Sequence, residues 1–226
     1  MDSSPSFKVM VPFVTIYTLC LFLPAIDMLA THTIHLFFFS LTFGIAALIF
    51  PAIYPLSDSI TEVYGKKVAY FVVLACYAPA VVISLLNNAL LSSADNHDLY
   101  DFLVKPSLAI TTMGPIAYIF TSYINVRLIS KLKMLMRGKH FALRSLVCSG
   151  LSETTTSLIV LPVIFYHHGL PYLTNIFIGS VLVKILVTLP FVLIARVLVG
   201  IYRRVDGIHE APYNLDLMQA SAPHPA

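Results

Sequence analysis

Apolar residues run along this chain in long blocks, and polar residues gather in the short gaps between them. Six blocks reach the length of roughly 20 apolar residues that a helix needs to cross the hydrocarbon core of a bilayer. They cover residues 7–29, 36–56, 68–91, 108–129, 143–166 and 173–200. The pattern predicts an all-α, polytopic bundle of six transmembrane helices over residues 1–204. A polar tail over 205–226, with prolines, alanines and no periodicity, reads as a disordered cytoplasmic segment. A transmembrane barrel would require short alternating strands instead of blocks that are apolar on every side. The connection over 87–106 is the one long gap, acidic and rich in turn-forming residues.

Composition supports the same class. Hydrophobic residues make up 58% of the chain, charged residues 11%, and the mean hydropathy is +0.85. Soluble domains carry about 25% charged residues, so these few cannot coat a globular surface, and the chain must face lipid. Lys8 followed by an apolar run resembles the start of a signal peptide. The run continues past Pro24 without a small-residue cleavage site, which predicts an uncleaved first span. Cys20, Cys76 and Cys148 are odd in number and widely spaced, a poor basis for a disulfide framework or a zinc site.

The net charge of +3 matters less than its distribution. Lysine and arginine stay on the cytoplasmic side of membrane proteins. With the N-terminus inside, the inner segments hold Lys8, Lys66, Lys67, Arg127, Lys131, Lys133, Arg137, Lys139, Arg144, Arg196, Arg203 and Arg204. The outer loops hold Lys105 beside Asp95, Asp98 and Asp101. Every loop agrees with both termini in the cytoplasm, in the inner membrane of a cell.

Charges inside the apolar blocks are the candidate chemistry, since each costs roughly 2.5–3.5 kcal/mol at the bilayer centre on insertion scales. Lys184 lies too deep in the sixth block to snorkel, and Glu153 lies at a similar depth in the antiparallel fifth. The pair reads either as a structural ion pair or as the lining of a substrate cavity. The fifth block opens with Arg144 and carries Ser149, Ser152, Thr154, Thr155, Thr156 and Ser157; the fourth adds Thr121, Ser122, Tyr123 and Asn125. Such hydroxyls serve close helix packing as well as a polar wall.

The densest segment runs from Phe50 to Lys67. Pro51 and Pro55 each remove a backbone donor, so the second helix is expected to be kinked or broken there. Broken helices at membrane depth expose backbone groups that transporters use for binding. Asp58 and Glu62 are i and i+4, on one face of a helix that Gly65 would end. The plainer reading of Glu62 is a contact with Lys66. Asp27 is expected at the outer interface. The histidines, His167 and His168 among them, lack a helical i, i+4 pair and make a weak metal case. A phosphate-binding G-x-x-x-x-G-K-[ST] loop is absent from the sequence, as are a G-x-S-x-G elbow and an H-E-x-x-H pair.

At Phe50-Pro51, Asp58 and Glu62-Val63-Tyr64-Gly65-Lys66 the sequence resembles the queuosine precursor transporter family, also grouped with vitamin uptake transporters. The resemblance extends over most of the six-span region, through Arg144 to Lys184 and Thr188-Leu189-Pro190. It implies uptake of deazaguanine bases, with Asp58, Glu62, Tyr64, Arg144 and Lys184 as the functional set. The chain departs from the family pattern in the fourth span, where Ser122 and Asn125 replace a glutamine and an aspartate. It departs again in the fifth, where Glu153 and Thr156 replace a glutamine and an aspartate. The acid has thus moved one turn along roughly the same face.

The expectation is a non-enzymatic carrier of a purine-like small molecule. Glu153, Lys184, Asn125, Ser122 and Thr156 would bind, while Asp58, Glu62, Tyr64 and Arg144 would form the cytoplasmic gate. It needs no cofactor, metal or nucleic-acid partner; a homo-oligomer or an energising partner is compatible with it. The alternatives are a substrate-binding subunit of an ATP-driven assembly, an intramembrane enzyme using Asp58 and Glu62 as acid and base, and a membrane scaffold.

Overall fold

Helix α1 (Phe7–Ile26) buries a stripe of Val9, Phe13, Tyr17 and Leu21, one turn apart, and leaves Val11, Ile16 and Leu19 exposed. The computed structural model describes residues 5–26, 31–36, 39–92 and 105–208. The expectations for Asp27, for the acidic connection over 93–104 and for the tail beyond 208 lie outside the described residues.

The second apolar block corrects the all-α expectation. Its described residues before Ile53 do not form an α-helix. Strands β1 (Thr31–Leu36) and β2 (Phe39–Gly44) pair antiparallel, from Thr31 opposite Gly44 to Leu36 opposite Phe39. Two 3-10 turns follow, Ile45–Leu48 and Phe50–Ala52, before helix α2 (Ile53–Tyr64) begins. The prolines do not kink a long helix. Pro51 lies in the first positions of a 3-10 turn and Pro55 in the first turn of α2, where a missing N–H costs nothing. Alternation explains the strand. In Phe39-Ser-Leu-Thr-Phe43 apolar and polar side chains change places at every step, which suits a pleat and not a helix.

Every residue of α2 is buried. The helix ends at Gly65, whose φ of 85° and ψ of 174° belong to a region open essentially to glycine alone. Its N–H bonds the Thr61 carbonyl at 3.1 Å, and α3 (Lys66–Ser92) starts at the next residue. Helices α4 (Lys105–Leu135), α5 (Phe141–Phe165) and α6 (Leu170–Val205) complete a mostly helical structure with six helices among the described residues. Neighbours pack in sequence, α3 on α4, α4 on α5 and α5 on α6, with α2 enclosed among α3, α4, α5 and α6.

Helix α5 inverts the usual amphipathic pattern. Arg144, Ser145, Ser149, Ser152, Glu153, Thr156 and Ser157 point inward, while Leu143, Val147, Leu151 and Leu158 are more than half exposed. An exposed leucine is ordinary; a polar interior beneath an apolar exterior is the informative combination. Both α5 and α6 are long and apolar enough to cross a membrane.

The hairpin is fastened to α6. Thr42 N–H donates to Asn175 Oδ1 at 3.1 Å, and Asn175 Nδ2 donates to the Ser40 carbonyl at 3.1 Å, so one side-chain amide occupies the strand edge as a neighbouring strand would. Gly179 lies against the Thr42 backbone, and a Cβ there would overlap the Thr42 carbonyl.

Candidate functional site

The buried polar groups form three centres, stacked along the inward face of α5 and each completed by another helix. The first contains Glu153. Its Oε2 lies 3.1 Å from Lys184 Nζ of α6, and the lysine also donates to Ser157 Oγ at 3.1 Å. Glu153 is fully buried, and neither of its oxygens closes a hydrogen bond, so the contact at Oε2 is ionic and Oε1 has no partner. One turn further along α5, Thr156 joins Tyr54 and Thr121 in a triangle of hydroxyls. Tyr54 Oη lies 2.7 Å from Thr121 Oγ1 and 2.6 Å from Thr156 Oγ1, and Thr156 donates to Thr121 at 2.9 Å. A cavity of about 50 Å³ borders this centre. Lys184, Ser157, Thr156 and Ser180 supply its polar wall, and Gly44, Ala46, Ala47, Phe50, Tyr118, Val160, Leu161, Ile164 and Phe165 supply an apolar remainder. The rings of Phe50 and Tyr118 stack at 4.7 Å. The broken second block therefore contributes residues of its two 3-10 turns to the cavity wall.

Asp58 of α2 forms the second centre. Asn125 Nδ2 of α4 donates to its Oδ1 at 2.6 Å; Ser145 and Ser149 of α5 donate to its Oδ2 at 2.7 and 3.3 Å. Ser152 donates to Asn125 Oδ1 at 3.1 Å, which joins this centre to the helix that carries Glu153.

The third centre is ionic. Arg144 grips Glu62 with both terminal nitrogens, Nη1 to Oε2 at 3.1 Å and Nη2 to Oε1 at 3.2 Å. Arg144 Nε donates to the Lys139 carbonyl at 2.9 Å, which fixes the plane of the fork. Lys133 of α4 donates to the Glu62 carbonyl at 2.8 Å and stands 3.8 Å from its carboxylate; Arg203 of α6 approaches at 3.7 Å. Bidentate pairing of this kind sets both direction and charge.

A family model described as "Putative vitamin uptake transporter" matches residues 44–198, more than half of the chain. The chain belongs to this family. Membership makes it a membrane protein of the small-molecule uptake transporters, with a transport role and not an enzymatic one. No curated protein and no solved structure gives a match.

In this vitamin uptake transporter family member the matched region runs from the end of β2 to the last turns of α6 and includes all three centres except Arg203. The expected binding residues fall into separate places. Glu153 and Lys184 meet, and Thr156 is one turn away. Asn125 instead holds Asp58. Ser122 faces the Tyr17 hydroxyl of α1 without closing a hydrogen bond. Among the expected gate residues, Glu62 and Arg144 meet directly. Glu62 turns away from the exposed Lys66 and toward Arg144, Lys133 and Arg203. Tyr64 instead donates to Asp206 Oδ2 at 2.6 Å, and the Ser6 N–H donates to the same oxygen at 3.0 Å. Burial alone would raise the Asp206 carboxyl, but the bonds from Ser6 and Tyr64 outweigh it and hold the group below the usual aspartate range.

Asp58 and Glu62 share no bonding partner: Asn125, Ser145 and Ser149 hold the first, and Arg144, Lys133 and Arg203 surround the second. Tyr54, Ser145 and Lys133 were not singled out as site residues from the sequence, and Ser149 was named only within the hydroxyl-rich run. Lys133 reads as one more charge in a basic loop, and a tyrosine in an apolar run carries no local mark of its partners. The described residues contain no group of three histidine, cysteine, aspartate or glutamate side chains placed to hold a metal.

Proposed function

We propose that this protein imports a small purine-like molecule, a deazaguanine base in the first instance, and binds it at Glu153 and Lys184. The observation that carries this reading is the buried Glu153 carboxylate, ion-paired at one oxygen and without a donor at the other, whose partner Lys184 lines a mostly apolar cavity with Thr156, Ser157, Ser180 and the stacked rings of Phe50 and Tyr118. A guanine-like edge presents adjacent N–H donors, and a carboxylate accepts them in charge-assisted bonds. Lys184 keeps the site neutral overall, so an uncharged base can enter and leave without stranding a charge in low dielectric. The cavity has room for a few water molecules; a ring system enters when the bundle opens. Thr156 completes the wall and is held by Tyr54 and Thr121, while Asn125 and Ser122 stand outside it.

The bundle crosses the membrane six times with both ends in the cytoplasm. The hairpin, the two turns and α2 together make the second crossing. Glu62, Arg144 and Tyr64 close the cytoplasmic end, with Asp58 one turn above. Uptake of a labelled cyano-substituted deazaguanine base by cells lacking their own carrier tests the reading. Wild type is expected to accumulate the base. A well-expressed Glu153→Gln variant, which keeps one acceptor but loses the charge, is expected to take it up about tenfold less well. Equal uptake by the two would remove Glu153 from recognition.

A further inference from the structure

Asp58 stands apart from the other buried charges. Glu153 has Lys184, and Glu62 has Arg144, Lys133 and Arg203. Asp58 is 0% exposed, and among the described residues no lysine or arginine comes within ion-pair distance of it. Its cage is one amide and two hydroxyls. A carboxylate in low dielectric without a cation is costly, and its usual relief is to take up a proton. The cage suits that exchange. Serine hydroxyls donate to the ionised acid and turn to accept from the protonated one, so Ser145 and Ser149 serve both forms without backbone movement. A fixed lysine in their place would lock the acid in its charged state.

The neighbours of Asp58 give the loss of its proton a consequence. From α1 it faces the Tyr17 hydroxyl, and from α5 it faces Cys148. Helix α4 contributes Asn125, with Lys133 held at Glu62; α3 contributes Tyr77, which packs on Tyr17; α6 contributes Tyr202 and Arg203 toward the Glu62 end. On its own helix the nearest charge is Glu62, one turn away. Arg144, which grips Glu62, is next in sequence to Ser145, which bonds Asp58. An ionised Asp58 one turn along α2 repels the Glu62 carboxylate. Losing the proton at Asp58 therefore loosens the Glu62 cluster, and regaining it lets the cluster re-form. Through Asn125, Ser152 and their shared hydrogen bond, the same carboxyl is tied to the helix that carries Glu153.

We propose that Asp58 is a proton-binding site that couples small-molecule uptake to the proton gradient: it binds one proton from the outer side, and it releases that proton to the cytoplasm as the Glu62–Arg144 cluster opens. The proposal rests on the transporter reading above, and its test separates the two.

The purified full chain is placed in liposomes, with a labelled cyano-substituted deazaguanine base as the probe. Counterflow, which needs no driving force, is compared with accumulation under an inside-alkaline pH difference. Wild type is expected to show both. In Asp58→Asn the ratio of gradient-driven accumulation to counterflow is expected to fall by about tenfold or more. Wild-type counterflow without any response to the gradient overturns the proton site and leaves the carrier standing. No counterflow at all overturns the carrier for this base. An infrared titration of the unliganded protein decides the site in that case: a protonated-carboxyl band at neutral pH is expected in wild type and absent from Asp58→Asn. Wild type lacking that band also overturns the proposal, whatever the variant does.

Discussion

Glu153 and Lys184 show how one residue changes meaning with its partner. Each alone would be an uncompensated charge in a water-poor interior, and together they are neutral at 3.1 Å. Removing one member of a buried pair costs about 3–5 kcal/mol because the other charge is stranded, whereas replacing both by neutral groups is often close to neutral. Lys184→Met is therefore expected to destabilise the protein by that order, and Glu153→Gln with Lys184→Met is expected to recover most of the loss. Thermal unfolding in detergent of the two single variants and the double variant measures this coupling. Additive losses would mean that the two charges do not depend on each other. Arg144 has the same dependence on Glu62, with a stricter geometry. Its two parallel bonds use the planar fork that lysine lacks.

The hairpin is the element least like its surroundings. An open strand edge in an apolar environment leaves backbone groups unpaired, and here α6 supplies both remedies. Asn175 occupies the edge, and the absent side chain of Gly179 lets Thr42 lie against the helix. Gly179→Val is expected to push the hairpin off α6, because the contact it meets is backbone and cannot rotate aside. The cavity wall from Gly44 to Ala47 would move with it. Overpacking of this kind costs about 1–3 kcal/mol. The expected outcome is a lowered Tm and faster protease cleavage near the hairpin; unchanged cleavage and Tm would show that the close approach is dispensable. Gly65 has a different reason to be glycine. It has free space around it but a φ of 85°, so its constraint lies in the backbone.

Across the whole molecule, the polar centres form a ladder from the Glu62 cluster through Asp58 to the Glu153–Lys184 pair, wrapped in exposed leucine, valine and phenylalanine. At its lower end Asp206 joins the two ends of the described chain, with Ser6 before α1 and Tyr64 at the end of α2 as its donors. Because these bonds favour the ionised carboxyl, its proton affinity in the folded protein lies below that of a free aspartate. The contact thus contributes stability above the ordinary aspartate range, and that contribution is lost as pH falls through the lowered value. Asp206→Asn should lower Tm at neutral pH and narrow its gap to wild type in acid. A gap of constant size at every pH would show that charge plays no part in the latch.

The amino-acid sequence by itself determined the membrane class, the apolar blocks and the family signature. Long runs without charges have no other stable setting, and Asp58, Glu62 and Gly65 stand in a local pattern. The Glu153–Lys184 pair was legible too, because two antiparallel helices bring groups of equal depth together. Local spacing failed where partners came from elsewhere. Lys66 lies one turn from Glu62, yet Arg144, 82 positions away, holds it, and Asp58 finds Asn125 across 67 positions. A block apolar on all sides does not say which face will meet which neighbour, so those choices belonged to packing. The second block shows the same division from the other direction. Its length suggested a helix, its alternation from Phe39 to Phe43 suited a strand, and the edge that Asn175 and Gly179 offer on α6 made the strand possible.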